Sequence, residues 1–175
     1  MLPTLEQFSI TTPVFIRKID KITHWEPQDC NNNLEERAKK VSEKIFKGTV
    51  SSLWKVAHDE EFYGIVASLS ANRDCKNQSI DFIWITQEDL QEVNVEIQPK
   101  PEGKCLYVKD LHFDIWMDSF LAQKLCHVLL EKDRKAKRCK KNNVQDILDY
   151  QQSKNCKASV ETLLDCVCQT YMESL

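Results

Sequence analysis

What this chain lacks narrows its class. No run approaches the roughly 18 apolar residues of a membrane span, so no membrane-crossing helix is expected. The net charge is -3, so no global basic field draws the chain onto nucleic acid, and any such binding would need a local patch. The eight cysteines, at 30, 75, 105, 126, 139, 156, 166 and 168, include no Cys-x-x-Cys pair, and the four histidines, at 24, 58, 112 and 127, are scattered. Zinc sites announce themselves by paired short spacings, so no metal site is expected. Cys166 and Cys168 sit two apart on a helical pattern, which points them about 200° from one another. Met1–Glu6 carries neither a basic flank nor a long apolar segment, which gives the expectation of no signal peptide, a cytoplasmic location and free thiols. Only three glycines occur, Gly48, Gly64 and Gly103, each isolated. No internal repeat or low-complexity tract is present.

What is there fits one ordinary domain. The chain has 175 residues, with 42% hydrophobic and 29% charged, the balance of a globular protein rather than a disordered one. Its most informative stretch is Lys104–Asp114, followed by an apolar helical pattern over Ser119–Leu130. Leu106 and Val108 alternate as in a half-buried strand, and Leu111 and Phe113 resume one residue out of step. A strand cannot change parity without turning over or inserting a residue. The slip reads as a β-bulge at Lys109–Asp110, or else as two short strands. A bulged strand running into a helix forms a cleft where backbone groups face a ligand.

The remaining elements follow in chain order. Residues 8–23 are rich in β-branched side chains and read as extended, with Pro13 marking an edge or a break. Asn33 is a good N-cap, and Glu36 three residues on suggests a capping box. Leu34, Ala38, Val41 and Ile45 then keep helical spacing up to a stop near Gly48. Thr49–Ala57 and Phe62–Ser70 read as two strands of a hairpin around an acidic turn, His58–Glu61, with His58 a turn residue. Gly64 inside the second run signals a bulge or a close backbone approach. Ile80–Ile85 is a strand, Thr86–Leu90 a short capped helical turn, and Val93–Ile97 an edge strand.

Beyond Asp114, Asp118 or Ser119 caps a helix whose buried stripe is Leu121, Leu125, Val128 and Leu129, with His127 at its boundary. That helix is expected to run on through Glu131–Lys141, where seven basic residues face two acidic ones and complement the helix dipole. Val144, Ile147 and Leu148 mark a further short helix, Gln151–Asn155 a break, and Val160, Leu163, Leu164, Val167 and Tyr171 a last amphipathic helix. No strand is expected after residue 130. The fold class is therefore α+β, a mixed, mostly antiparallel sheet with flanking helices over residues 1–142 and a helical C-terminal tail over 143–175.

Over roughly residues 8–130 the sequence resembles the GNAT acyltransferase superfamily, in particular its small bacterial toxin members. Asp29–Ala38 resembles their Cys-then-helix segment, Phe62–Ser70 a strand ending in a Ser-Leu-Ser phrase, Leu111–Asp114 the bulged fourth strand, and 119–130 the helix after it. The resemblance implies an acyl-CoA N-acyltransferase-like fold, with acetyl-CoA as cofactor. Its pantetheine would lie on the carbonyls and amides of Lys109–His112, and its cofactor-binding residues would be Leu111, Phe113, Ser119, Phe120, Leu121 and Ala122. His112 or Asp114 would be the catalytic base. The family's pyrophosphate loop, Gln/Arg-x-x-Gly-x-Gly/Ala, falls on Met117–Ala122. There Met117 replaces the basic or amide residue, Phe120 the glycine, and Asp118 adds a negative charge. The family's tyrosine acid is not recognisable among Tyr150 and Tyr171.

Two functions follow as expectations: transfer of an acyl group to an amine, or a non-catalytic module of the same shape that binds a protein partner or a second copy. In the second, the tail with Cys166, Cys168 and Met172 beside its stripe offers a dimer surface. A third, nucleic-acid binding through Lys132–Lys141, is disfavoured because no aromatics interleave that run.

Overall fold

The computed structural model describes residues 1–27, 33–71, 78–102 and 108–155. It is an α+β fold in three layers, with one six-stranded antiparallel sheet between two pairs of helices. The strands are β1 (Val14–Ile19), β2 (Val50–Val56), β3 (Ile80–Ile85), β4 (Ile97–Pro99), β5 (His112–Trp116) and β6 (Lys137–Cys139). The helices are α1 (Leu34–Ile45), α2 (Asp59–Ala71), α3 (Gln87–Glu92), α4 (Ser119–Glu131) and α5 (Lys141–Asn155). The spatial order is β4-β5-β2-β1-β3-β6. Every pairing is antiparallel, so the described sheet is not mixed.

One face of the sheet packs on α1 and α4, which lie against each other. Phe15, Leu53, Ile83, Ile85 and Ile115 supply the sheet side, and Ala38, Val41, Leu125 and Leu129 the helix side. The other face packs on α2 and α5 through Ile16, Trp54, Val56, Phe82, Phe62, Ile65, Val144 and Ile147. Strand alternation assigns these two sets, since neighbouring residues point to opposite faces.

Three helix starts follow their local chemistry. The Asn33 side chain accepts from the Glu35 and Glu36 amides and caps α1. Thr86 and Asp89 form a reciprocal capping box on α3, and Asp118 caps α4 by accepting from the Leu121 amide. Caps of this kind contribute about 1 kcal/mol each.

Five expectations are corrected, the first being the edge strand at Val93–Ile97, since β4 starts only at Ile97. Phe62–Ser70 lies within the helix α2, not in a hairpin strand. The run is apolar all round because α2 is held between the sheet and α5, and a helix buried on every side loses its 3.6-residue signature. Asp59, Glu60 and Glu61 form the acidic first turn that a helix dipole favours, and the Glu61 carboxylate accepts from the Ala57 amide. Gly64 does mark a close approach: a Cβ there would lie 2.5 Å from Val108 Cγ1.

The bulge at Lys109–Asp110 is instead a 3-10 turn, Lys109–Leu111, entering β5. With three residues per turn, positions i and i+3 share a side. Val108 and Leu111 accordingly both pack against the α2 cluster, which is why the parity slips there.

α4 stops at Glu131, and a β-strand follows where none was expected. Asp133 takes a left-handed φ of 54°, and the Arg134 amide returns to the Leu129 carbonyl. Four of the seven basic residues form ion pairs: Lys132 with Asp89 and Glu92, Arg134 with Asp89, Lys135 with Asp133, and Arg138 with Asp81. Finally, α5 runs unbroken through Gln151–Asn155. The expected tail helix over 159–171, with Cys166, Cys168 and Met172, lies outside the described residues, as does the Asp29–Cys30 segment. No helix among the described residues is long and apolar enough to cross a membrane.

Candidate functional site

His112 and Asp114 stand two apart on β5 and therefore share a face, the one toward α2. Register sets Trp54 and Ser52 of β2 beside them, and Gln98 of β4 on the other side. Both are buried, at 5% and 2% exposure. His112 Nδ1 lies 2.7 Å from the Lys100 carbonyl; a carbonyl only accepts, so Nδ1 carries the proton it donates. The imidazole also packs on the Trp54 ring, with centroids 4.6 Å apart. Its Nε2 is 3.9 Å from Asp114 Oδ1, beyond hydrogen-bond range.

Asp114 is held from two sides. Ser52 Oγ donates to its Oδ1 at 3.2 Å, and the Lys100 ammonium lies 3.1 Å from its Oδ2. Lys100 also reaches Glu102 at 3.3 Å, and its hydrogen bonds to Asp114 and Glu102 raise its pKa above the usual lysine value. The Lys100 amide donates to the His112 carbonyl at 2.9 Å. Lys100 is therefore tied to β5 at three points, through its amide, its carbonyl and its ammonium. Because β4 is only three residues long, this clamp is what extends its hold on the sheet.

Arg17 lies across the sheet, on the face toward α1. Its guanidinium donates to the Ser52 carbonyl at 3.2 Å and the Ile45 carbonyl at 3.1 Å. Burial lowers its pKa, while the charges of Asp20 and Asp114 oppose that shift. A cavity of about 210 Å³ opens beside this cluster, lined by Lys18, Asp20, Ser52, Trp54 and Leu69 as well as Arg17. A second, roomier groove of about 560 Å³ lies at the start of α2 between Ser9, Thr12, His58 and Asp59, away from β5.

The residues expected to hold coenzyme A do not converge. Leu111 packs on the α2 side, whereas Phe113 faces the other cluster, edge-on to Phe15 with centroids 5.6 Å apart. Ser119 and Phe120 are exposed at the start of α4, Leu121 is half-buried and Ala122 is buried. The Leu121 amide, which a phosphate would use, already donates to Asp118 Oδ1 at 2.8 Å. Among the described residues no group of His, Cys, Asp and Glu is arranged to hold a metal ion. Cys126 and Cys139 are buried free thiols; burial drives the Cys139 pKa to about 12 and that of Cys126 higher still, so neither supplies a thiolate.

A different feature lies at the same end of β5. Val50 and Trp116 are register partners, exposed at 41% and 46%, and Phe120 is 64% exposed four residues on. Apart from Met1 these are the large hydrophobic side chains most open to solvent among the described residues. The Met117 amide, bonded to the Thr49 carbonyl, joins the two strand ends there. Sequence reasoning missed this trio because Val50 and Trp116 meet only through strand register, while Phe120 was read as a misfit in a phosphate loop.

No protein-family model, no curated protein and no solved structure matches this chain.

Proposed function

We propose that this chain is a non-catalytic binding module that engages a protein through the end of the sheet bearing Val50, Trp116 and Phe120. The observation that carries the reading is the exposed register pair Val50–Trp116 at the end of β2 and β5, with the exposed Phe120 opening α4 four residues on. Exposed apolar clusters on a folded chain mark interaction sites, and Trp and Phe are favoured anchors within them.

Acyl transfer from acetyl-CoA to an amine would ask for two things. The first is a base open to the amine, whereas His112 and Asp114 are buried and engaged with Lys100 and Ser52. The second is a set of free amides at the start of α4, where the Asp118 carboxylate now sits and would repel a pyrophosphate. In this reading an acyltransferase-like strand and helix have kept their shape and closed the cofactor loop. The clamp of His112, Asp114 and Lys100 is then structural, fixing β4 beside the docking end.

Isothermal titration of the reduced protein with acetyl-CoA and with CoA tests the proposal. The expected result is no saturable heat. Micromolar binding that is lost in Asp114→Asn would overturn it in favour of acyl transfer.

A further inference from the structure

The sheet is open along its middle. β1 and β2 pair through Val14–Val56, Phe15–Lys55 and Ile16–Trp54 and no further, although β1 continues to Ile19 and β2 begins at Val50. Over that length each strand keeps its outer neighbour: Arg17, Lys18 and Ile19 pair with β3, and residues 50–53 with β5. The Met117 amide donates to the Thr49 carbonyl, so odd-numbered residues of β2 turn their backbone groups to β5 and even-numbered ones to β1. Ser52 therefore faces the gap, where the next rung of the ladder would join it to Lys18. The Arg17 guanidinium donates to the Ser52 carbonyl instead, at 3.2 Å, and to the Ile45 carbonyl at 3.1 Å. The cavity of about 210 Å³ lies at this gap. Among the described residues it is lined by Arg17, Lys18 and Asp20 on one side, Ser52 and Trp54 on the other, and Leu69 of α2.

We propose that this cavity binds a small monocarboxylate, a short-chain organic acid whose charge meets the Arg17 guanidinium and whose carbon chain lies on Trp54 and Leu69. The site goes beyond the docking surface and does not depend on it. A guanidinium withdrawn from water calls for an anion, because neutral carbonyls bond it without neutralising it. Arg17 is in that position. Burial lowers its pKa, its Nε is shut off from solvent with no partner, and no carboxylate among the described residues touches it. Arg134, also drawn in from solvent, meets Asp89 at 3.3 Å. Asp20 and Asp114 are near enough to support the Arg17 charge, but Lys47 holds the first at 3.2 Å and Lys100 the second at 3.1 Å. The same two carboxylates repel a dianion, which favours a monocarboxylate over a phosphate. Trp54 and Leu69 supply an apolar wall for its chain. At about 30 Å³ for each water-sized volume, the cavity takes about six or seven non-hydrogen atoms, the size of butyrate.

Nitrogen–proton NMR of the full chain, titrated with butyrate, acetate and phosphate at constant pH and ionic strength, tests this. The expected result is saturable shifts confined to the Arg17 Nε–H and the amides of residues 17–20, 52–54 and 69. Butyrate should bind at about millimolar strength, as its few atoms allow, and phosphate at least about tenfold more weakly. Arg17→Lys keeps a charge but loses the planar fork, and should weaken butyrate at least about fivefold. Leu69→Ala removes part of the apolar wall, and should cost butyrate about threefold while leaving acetate little changed. Circular dichroism unchanged from the parent shows that a variant folds, and the parent titration decides the matter without them. Shifts that never saturate, or that fall on another surface, would overturn the proposal. Phosphate binding as tightly as butyrate would do the same.

Discussion

The two faces of the sheet are built differently at the β5 end. Toward α1 and α4 lie Ile115 of β5, Leu53, Phe15, and Ile83 and Ile85 of β3, with Ser51 and Arg17 set among them. Toward α2 and α5 an apolar row runs from β3 to Trp54 of β2 and then changes character. There β5 and its neighbours present His112, Asp114 and Ser52, and beyond them the exposed pair Val50–Trp116. The difference separates stability from recognition. Each face buries an apolar cluster, and the second adds at β5 the His112–Asp114–Lys100 clamp that holds β4 and the exposed pair Val50–Trp116.

Substitutions along the two faces should therefore differ in kind. Leu125→Ala, in the fully buried row of α4, should cost about 3–4 kcal/mol in denaturant unfolding, through lost transfer energy and a cavity. A cost below about 1 kcal/mol would mean that Leu125 is not packed in this cluster.

Two of the buried carboxylates, Asp89 and Asp114, sharpen the contrast. Burial alone would raise the Asp89 pKa, but the Thr86 amide and the charges of Lys132 and Arg134 outweigh it and hold the pKa below the usual carboxylate value. A carboxylate depressed in the folded state stabilises above its unfolded pKa of about 4, and that contribution is lost as pH falls through the folded value. Asp89→Asn should thus cost about 3 kcal/mol at neutral pH and flatten the acid limb of the stability profile. An unchanged acid limb would contradict the assignment.

Asp114→Asn acts on the other face, where its partner Lys100 stays half in water. A smaller loss is expected, about 1–3 kcal/mol, with faster hydrogen exchange at the Lys100 amide as β4 loosens. Loss of stability without that local exchange would mean that the clamp does not hold β4. The smallest effect belongs to Trp116→Ser, which should leave unfolding free energy within about 0.5 kcal/mol. A large loss of stability would place Trp116 in the core instead.

Much of the first face was legible in the sequence, because local chemistry specifies it. Asn33, Thr86 with Asp89, and Asp118 each announce a helix start, and the stripes of α1 and α4 keep their spacing because one side of each helix meets solvent. The second face was harder to read. α2 is buried all round and imitates a strand. The 3-10 turn at Lys109–Leu111 imitates a bulge because it too shifts parity by one. β6 was hidden in a basic run in which Lys132, Arg134 and Arg138 pair with Asp89 and Asp81, more than forty residues away in sequence. For the site, spacing alone put His112 and Asp114 on one face. Lys100, Ser52 and Trp54 join them only through register across three strands, and no local signal marks such a meeting.

The most direct test of the claim that this end of the sheet is a binding surface and not a cofactor site is hydrogen exchange of the full chain with and without acetyl-CoA. Unchanged exchange over residues 109–122 is the expected result. Added protection there would contradict it.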